Sequence, residues 1–213
     1  MVVESPPRTT QRAPAKGRIL DTANALFYED GIRSVGVDRI IAASTVTKAT
    51  FYKHYRAKEN LIVEYIQGRH DSVRANVEAL VARASTPEGA LRDFVAAVAA
   101  EIASPGFRGC PFINAAAEFP NAGHRVRQVV TAHREWYVET LAELLRAMGH
   151  PVPGDAADEL MLARDGALSG SYAGDSIAAT AALNRIATRV LAIVDYPPAT
   201  MVEVHRDIGS RWG

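Results

Sequence analysis

The chain has 213 residues, 24 Lys and Arg against 24 Asp and Glu, 48% apolar residues and 7% aromatic ones. That length suits one large domain or a small domain joined to a larger one, with the composition of an ordinary globular protein. A single cysteine excludes an internal disulfide framework, no run of about 18 apolar residues offers a membrane span, and the opening MVVESPPRTTQRAPAKGR lacks the apolar stretch of a secretory signal. The expected setting is the cytoplasm, with no membrane partner. The zero net charge conceals a gradient: residues 1–60 hold ten basic and six acidic side chains, a surplus of +4, which the remainder balances. A basic N-terminal part on an acidic body is the pattern of a nucleic-acid reader with a second domain.

Residues 1–15, rich in Pro, Thr and Arg without periodicity, read as a flexible basic arm. Ile19, Leu20, Ala23, Leu26 and Phe27 then recur at helical spacing. They predict a helix over 16–30, stopped by Gly31 in the left-handed C′ position. A short helix over 37–44 follows, with Gly36 at its N-cap and Val37, Ile40 and Ile41 on its apolar face. Ser44-Thr45-Val46 is a tight connector. Thr47 caps a second short helix over 48–54 by accepting a backbone N–H from position 49 or 50. Arg56-Ala57 ends it, and a long helix runs from Lys58 to about 84. Thr86-Pro87-Glu88 supplies an N-cap, a proline at N1 and an acid in the first turn of a helix over 87–103. Ser104-Pro105-Gly106 breaks that helix, Cys110-Pro111 opens a shorter one over 111–118, and a long one spans 122–148 with Gly149 as its cap. PVPGD reads as a loop, and two helices cover 155–173 and 176–194. No segment shows strand periodicity. The fold class is therefore all-α, with about nine helices.

Two short helices joined by a three-residue turn, between longer ones, have the layout of a helix-turn-helix DNA reader. Val46 and Phe51 supply anchors for the second helix, which offers Thr47, Lys48, Ala49, Thr50 and Tyr52 near its N-terminus. The ordered set Gly31, Val37, Ile40, Val46-Thr47-Lys48-Ala49-Thr50-Phe51-Tyr52, His54-Tyr55 and Lys58-Glu59-Asn60-Leu61 resembles the N-terminal domain of the tetracycline-repressor (TetR) family. The resemblance covers about a fifth of the chain. It implies an N-terminal three-helix DNA-binding domain over 16–60, a larger helical ligand-binding and dimerisation domain over 61–195, and a C-terminal tail over 196–213. It also implies roles. Thr47, Lys48 and Thr50 are expected at base edges or phosphates, Tyr52, Lys53 and His54 at the DNA backbone, and Lys58 at a phosphate reinforced by the helix dipole. Arg8, Arg12 and Lys16 are expected to reach the backbone or the minor groove. One position departs from the pattern: Thr45 stands where the family usually has Gly. A β-branched residue at positive φ costs about 1 kcal/mol or more, so either the turn is built differently or stability is lost.

In the family the later helices hold an effector cavity and the dimer interface. The resemblance therefore implies a homodimer that binds a palindromic operator in double-stranded DNA, acts as a repressor, and is released by a small, largely apolar effector. The stripe of the 122–148 helix is apolar but broken by His133, Trp136 and Tyr137, which suits a greasy pocket with a few orienting groups. Phe107, Phe112, Asn114 and Met161 are candidate walls. Ala167, Gly170, Ile177, Leu183, Ile186 and Val190 are candidate interface residues, the small ones allowing close helix approach. Cys110 opens a helix, where a thiol pKa can fall, but a small packing residue is the favoured reading. The histidines lack metal-ligand spacing, and no nucleotide loop, nucleophile elbow or carboxylate pair stands out. No cofactor, metal or enzymatic activity is expected.

Overall fold

A computed structural model describes residues 14–192, which contain nine α-helices and no strand. The arm residues Arg8 and Arg12 and the 196–213 tail lie outside the described residues. The helices are α1 Ala15–Asp30, α2 Val37–Ser44, α3 Lys48–His54, α4 Lys58–Arg83, α5 Pro87–Ile102, α6 Pro111–Glu118, α7 Arg125–Ala147, α8 Pro153–Ala173 and α9 Ser176–Leu191. None is long and apolar enough to cross a membrane.

The boundaries follow local chemistry. The Thr47 hydroxyl accepts from Thr50 N at 3.1 Å and caps α3, and Thr86 Oγ1 does the same for Gly89 N at 3.0 Å before α5. Gly149 closes α7 in a Schellman arrangement, with Gly149 N donating to Arg146 O and His150 N to Leu145 O, both at 3.0 Å. Asp175 Oδ1 accepts from Ile177 N and Ala178 N at the start of α9.

Two helix starts and one cap conformation differ from the sequence expectation, and α9 ends at Leu191 rather than 194. Helix α7 begins at Arg125 rather than 122, because Asn121 Oδ1 accepts from Gly123 N and Asn121 O from His124 N, closing a turn there first. Helix α8 begins at Pro153, inside the expected loop, because proline at N1 has no N–H to leave unsatisfied. Gly31 stops α1, but at φ 89° and ψ 150° it lies outside the left-handed helical basin, in territory open essentially to glycine alone.

The described residues cluster into two compact units. One takes the chain up to Ala79 together with Glu101–Glu135; the other takes Leu80–Ala100 with the chain from Trp136 onward. In the first, α1, α2 and α3 pack on one another. Ile19, Ala23 and Phe27 of α1, Ile40 of α2 and Phe51 of α3 are all 3% exposed or less. Fully burying a side chain of the Ile or Phe size contributes about 1.5–3 kcal/mol, so this small cluster holds two very short helices in place. In the second unit α8 and α9 pair extensively, with Leu160, Leu168, Leu183 and Val190 buried between them and their neighbours. His150 is buried there as a satisfied imidazole. Its Nδ1 accepts from Val152 N at 3.3 Å, and its Nε2 lies 3.1 Å from Val190 O.

Candidate nucleic-acid interface

The turn between α2 and α3 decides how α3 is presented. Thr45 adopts φ 51° and ψ 49°, the left-handed helical conformation, so the turn keeps the geometry a glycine would give it. Thr45 N donates to Ala42 O at 3.2 Å and Val46 N to Ile41 O at 3.4 Å, the paired bonds of a Schellman cap. The cost of a Cβ in this conformation, about 1–2 kcal/mol, is therefore carried in the folded chain. The Thr45 hydroxyl donates to Ser44 O at 2.8 Å, and Ser44, itself buried, donates to Ile40 O at 2.7 Å. Arg18 Nε of α1 also points at Ser44 O, at 3.4 Å.

With its axis set in this way, α3 buries Phe51 and exposes Thr47, Lys48, Ala49, Tyr52, Lys53 and His54; Thr50 is half-buried. Val46, expected as a buried anchor, is half-buried. The Tyr52 ring is 43% exposed and stands edge-on to Phe51, with centroids 5.3 Å apart. Thr47 and Thr50 share a hydroxyl contact of 2.8 Å. Lys48 lies 3.8 Å from Asp38 of α2, both strongly exposed, so screening leaves its charge available to a polyanion. Lys16 is engaged with Glu64 at 2.9 Å.

Lys58, expected at a phosphate, is engaged within the fold in the DNA-free chain. Its ammonium donates to Ile32 O at 2.6 Å, in the turn between α1 and α2, and sits 5.6 Å from the Phe27 ring centroid. Burial lowers its pKa from 10.5, an effect the Glu118 carboxylate opposes. A side chain seated in this way stitches α4 to the α1–α2 turn instead of pointing into solvent.

Sequence reasoning missed Glu118, the last residue of α6. Its Oε1 accepts from Ile32 N at 2.9 Å and its Oε2 from Arg33 N at 2.7 Å. At the other end of α6, the Tyr28 hydroxyl donates to Gly109 O at 3.0 Å and accepts from Arg108 N at 2.9 Å. Arg125 donates to Asn60 Oδ1 at 3.0 Å, and His124 meets Glu59 at 3.1 Å. The first unit thus ties α6 and the start of α7 to α1, the α1–α2 turn and the start of α4. No single-residue signal could reveal pairs so distant along the chain.

The expected pocket residues divide between the units. In the first, Phe112 stacks on buried His133 with centroids 3.5 Å apart, and His133 Nδ1 lies 3.0 Å from His70 Nδ1. Asn114 donates to Arg108 O at 2.9 Å, which gives it a loop-bracing job, and Phe107 is half-buried. In the second, buried Tyr137 stands edge-on to Phe94 and Trp136, and the guanidinium of Arg164 lies 4.7 Å from its ring centroid. Met161 is buried in the same unit. Arg164, only 4% exposed and paired with Asp165 at 3.0 Å, was not foreseen.

Of the expected interface residues, Ala167, Leu183 and Ile186 line an open groove of about 340 Å³ on α8 and α9, with Leu162, Ala163, Gly166, Ala179 and Ala182. Gly170 approaches α9 closely: a Cβ there would lie 3.8 Å from that of Ala179. Ile177 is 82% exposed. Val190, Leu183 and Ala167 are 0%, 1% and 4% exposed within the single chain. Leu162 and Tyr172, absent from the sequence expectation, are 66% and 47% exposed.

Comparison with known proteins agrees with this architecture. The family described as "Bacterial regulatory proteins, tetR family" matches residues 19–65, the segment from α1 into α4. A TetR-family transcriptional regulator from Streptomyces coelicolor, SCO4454, is 38% identical, with a TM-score of 0.80 over 83% of this chain and 94% of that one. TetR-family regulators from Agrobacterium tumefaciens (22% identity, TM-score 0.74, 82% of this chain and 96% of that one) and Legionella pneumophila (20%, 0.74, 84% and 99%) share the fold. No curated protein sequence matches. The helix-turn-helix geometry, the family match and the extensive similarity to the Streptomyces regulator lead to one conclusion: the chain belongs to the tetR family of bacterial regulatory proteins and is a DNA-binding transcriptional regulator.

Proposed function

We propose that the protein is a cytoplasmic repressor that binds a palindromic operator as a homodimer and is released by a small, largely apolar effector. The observation that carries the reading is α3: a capped helix whose buried Phe51 fixes its roll while Thr47, Lys48, Ala49, Tyr52, Lys53 and His54 face outward. In this reading Thr47, Lys48 and Thr50 meet base edges or phosphates, and Tyr52, Lys53 and His54 hold the backbone. Residues 16–60 are the DNA-binding segment in this reading, and 61–195 the effector-binding and dimerisation part.

Dimerisation is supported by the α8–α9 face. Leu162 and Ile177 are exposed beside a groove lined by small residues, an apolar surface that a second copy would cover. A two-fold pair of recognition helices spaced about 34–36 Å apart engages successive major grooves of one palindrome. The effector of this reading is apolar with few polar groups, in keeping with the aromatic side chains packed around His133 in one unit and Tyr137 in the other. An effector that binds a form with altered helix spacing shifts the population away from the DNA-competent form.

The test is a salt-resolved titration of the purified protein against DNA upstream of its own gene, with sedimentation to count chains per complex. Two chains on a site with inverted symmetry, released by a small molecule, is the expected result. A protein that ignores this DNA at low ionic strength, or that binds as a single chain, refutes the reading.

A further inference from the structure

We infer that Glu118 is a positioning residue for DNA binding: its carboxylate holds the α1–α2 turn so that the seat of α6 sets the pose of the reading helices. The inference rests on the DNA-binding assignment and adds a residue outside the DNA-binding segment to the binding apparatus.

The turn is gripped from both sides of one peptide unit after another. Ile32 N and Arg33 N donate to the two oxygens of Glu118, at 2.9 and 2.7 Å. The carbonyl of Ile32 accepts from Lys58 Nζ at 2.6 Å. One carboxylate from α6 and one ammonium from the first residue of α4 therefore fix the same short stretch. Hydrogen bonds to a charged group are the stronger class. The turn is shaped for this clasp: Gly31 has φ 89°, and a Cβ there would lie 3.4 Å from Glu118 Oε1. The Arg33 guanidinium sits 5.6 Å from the ring centroid of Phe119, next to Glu118 in the chain.

What the turn feeds explains why the clasp matters. Ile32 and Val35, 2% and 0% exposed, lock the segment into the core immediately before α2 begins. Movement of the turn therefore moves α2, and α2 packs on α3. Helix α6 has a second fixed point, where Arg108 N and Gly109 O meet the Tyr28 hydroxyl of α1. These are the polar ties at its two ends, beside the buried face of Pro111, Phe112 and Ala115; with Glu118 gone, α6 keeps its packing but loses its hydrogen-bonded grip on the turn. Stability alone does not account for the arrangement. The Arg33 amide is exposed and would bond water at little loss, so the carboxylate adds definition of position where solvent already satisfies the donor.

The experiment uses the full chain and its Glu118→Ala and Glu118→Gln variants, each confirmed folded by circular dichroism. Affinity is measured for the upstream fragment that the wild type binds and for a fragment of unrelated sequence. Nonspecific binding is electrostatic and tolerates a shifted pose, whereas base readout does not. Glu118→Ala is expected to lower the ratio of specific to nonspecific affinity about tenfold, the equivalent of one charge-assisted hydrogen bond. Glu118→Gln, which keeps the shape and one acceptor, is expected to fall between. Amide exchange at Ile32 and Arg33 is expected to accelerate by about the same factor in Glu118→Ala. A purely structural Glu118 lowers both affinities by the folded fraction and leaves the ratio unchanged, which overturns the inference. So does unaltered exchange at the two amides. A wild type that binds neither fragment refutes the DNA-binding reading itself, and the role of Glu118 falls with it.

Discussion

Position 45 offers a sharp test of the turn. In the folded chain Thr45 holds φ 51° and ψ 49°, where a Cβ costs about 1–2 kcal/mol. Thr45→Gly removes that cost but adds freedom to the unfolded chain, worth about 0.5–1 kcal/mol against it. It also loses the hydroxyl bond to Ser44 O at 2.8 Å. These terms nearly cancel against wild type, so the informative comparison is between two variants that both lack the hydroxyl. Thr45→Ala retains the Cβ cost, and the difference leaves Thr45→Gly more stable by roughly 0.5–1 kcal/mol. For a chain of this size that amounts to about 1–4 °C in Tm. Urea unfolding followed by far-ultraviolet circular dichroism, with the two variants in parallel, resolves a gap of this size when the slopes agree. Anywhere other than positive φ, alanine outranks glycine. Equal stability, or Thr45→Ala the more stable, would therefore refute the left-handed turn and the presentation of α3 that follows from it.

Four further outcomes are expected. Thr47→Ala removes the acceptor for Thr50 N and should cost about 1 kcal/mol, with Thr47→Ser retaining most of it, read by the same unfolding assay. Lys48→Ala and Lys53→Ala should each reduce the slope of log affinity against log salt by about one, whereas Lys58→Ala, whose ammonium is on Ile32 O, should lower Tm and leave the slope in place. Leu162→Glu should shift the protein toward monomer in sedimentation while leaving its helicity unchanged, since the side chain is 66% exposed in a single chain; an undisturbed dimer would remove the α8–α9 face from the proposal. The pKa values of Tyr28, Tyr55 and Tyr65 are all raised from 10.0, chiefly by burial. A raised folded pKa gives stability that is present below 10 and lost as pH climbs above it, so these three phenols should titrate above free tyrosine while the fold holds, detectable by ultraviolet titration beside circular dichroism.

The helix-turn-helix was legible because its signals are local. Thr47 caps with a group three residues away, Gly31 and Gly149 stop helices by their own backbone freedom, and Phe51 carries its hydrophobicity wherever it is placed. The nine helices and the exposure of Lys48, Tyr52, Lys53 and His54 needed little more than periodicity and capping. The start of α8 at Pro153 was equally local; a proline at N1 was present but read as part of a loop. Thr45 lies midway: the chain posed the alternatives, and only the folded backbone chose between them.

What a residue pairs with across the fold had no local signal. Lys58 carries the same charge whether it faces a phosphate or Ile32 O, and Glu118 looks like any acid at a helix end until α1 and α6 are packed. Val190 and Ile177 are both apolar residues on α9, yet one is fully buried and the other 82% exposed, because the roll of α9 on α8 is settled by their mutual packing. Sequence alone determined where the chain turns helical and where the helix-turn-helix lies, since backbone hydrogen bonds and caps are satisfied within a few residues. Which charge is clasped, which apolar face is left open and which helix steadies the reader were decided by tertiary structure, because those energies arise only when distant segments share one space.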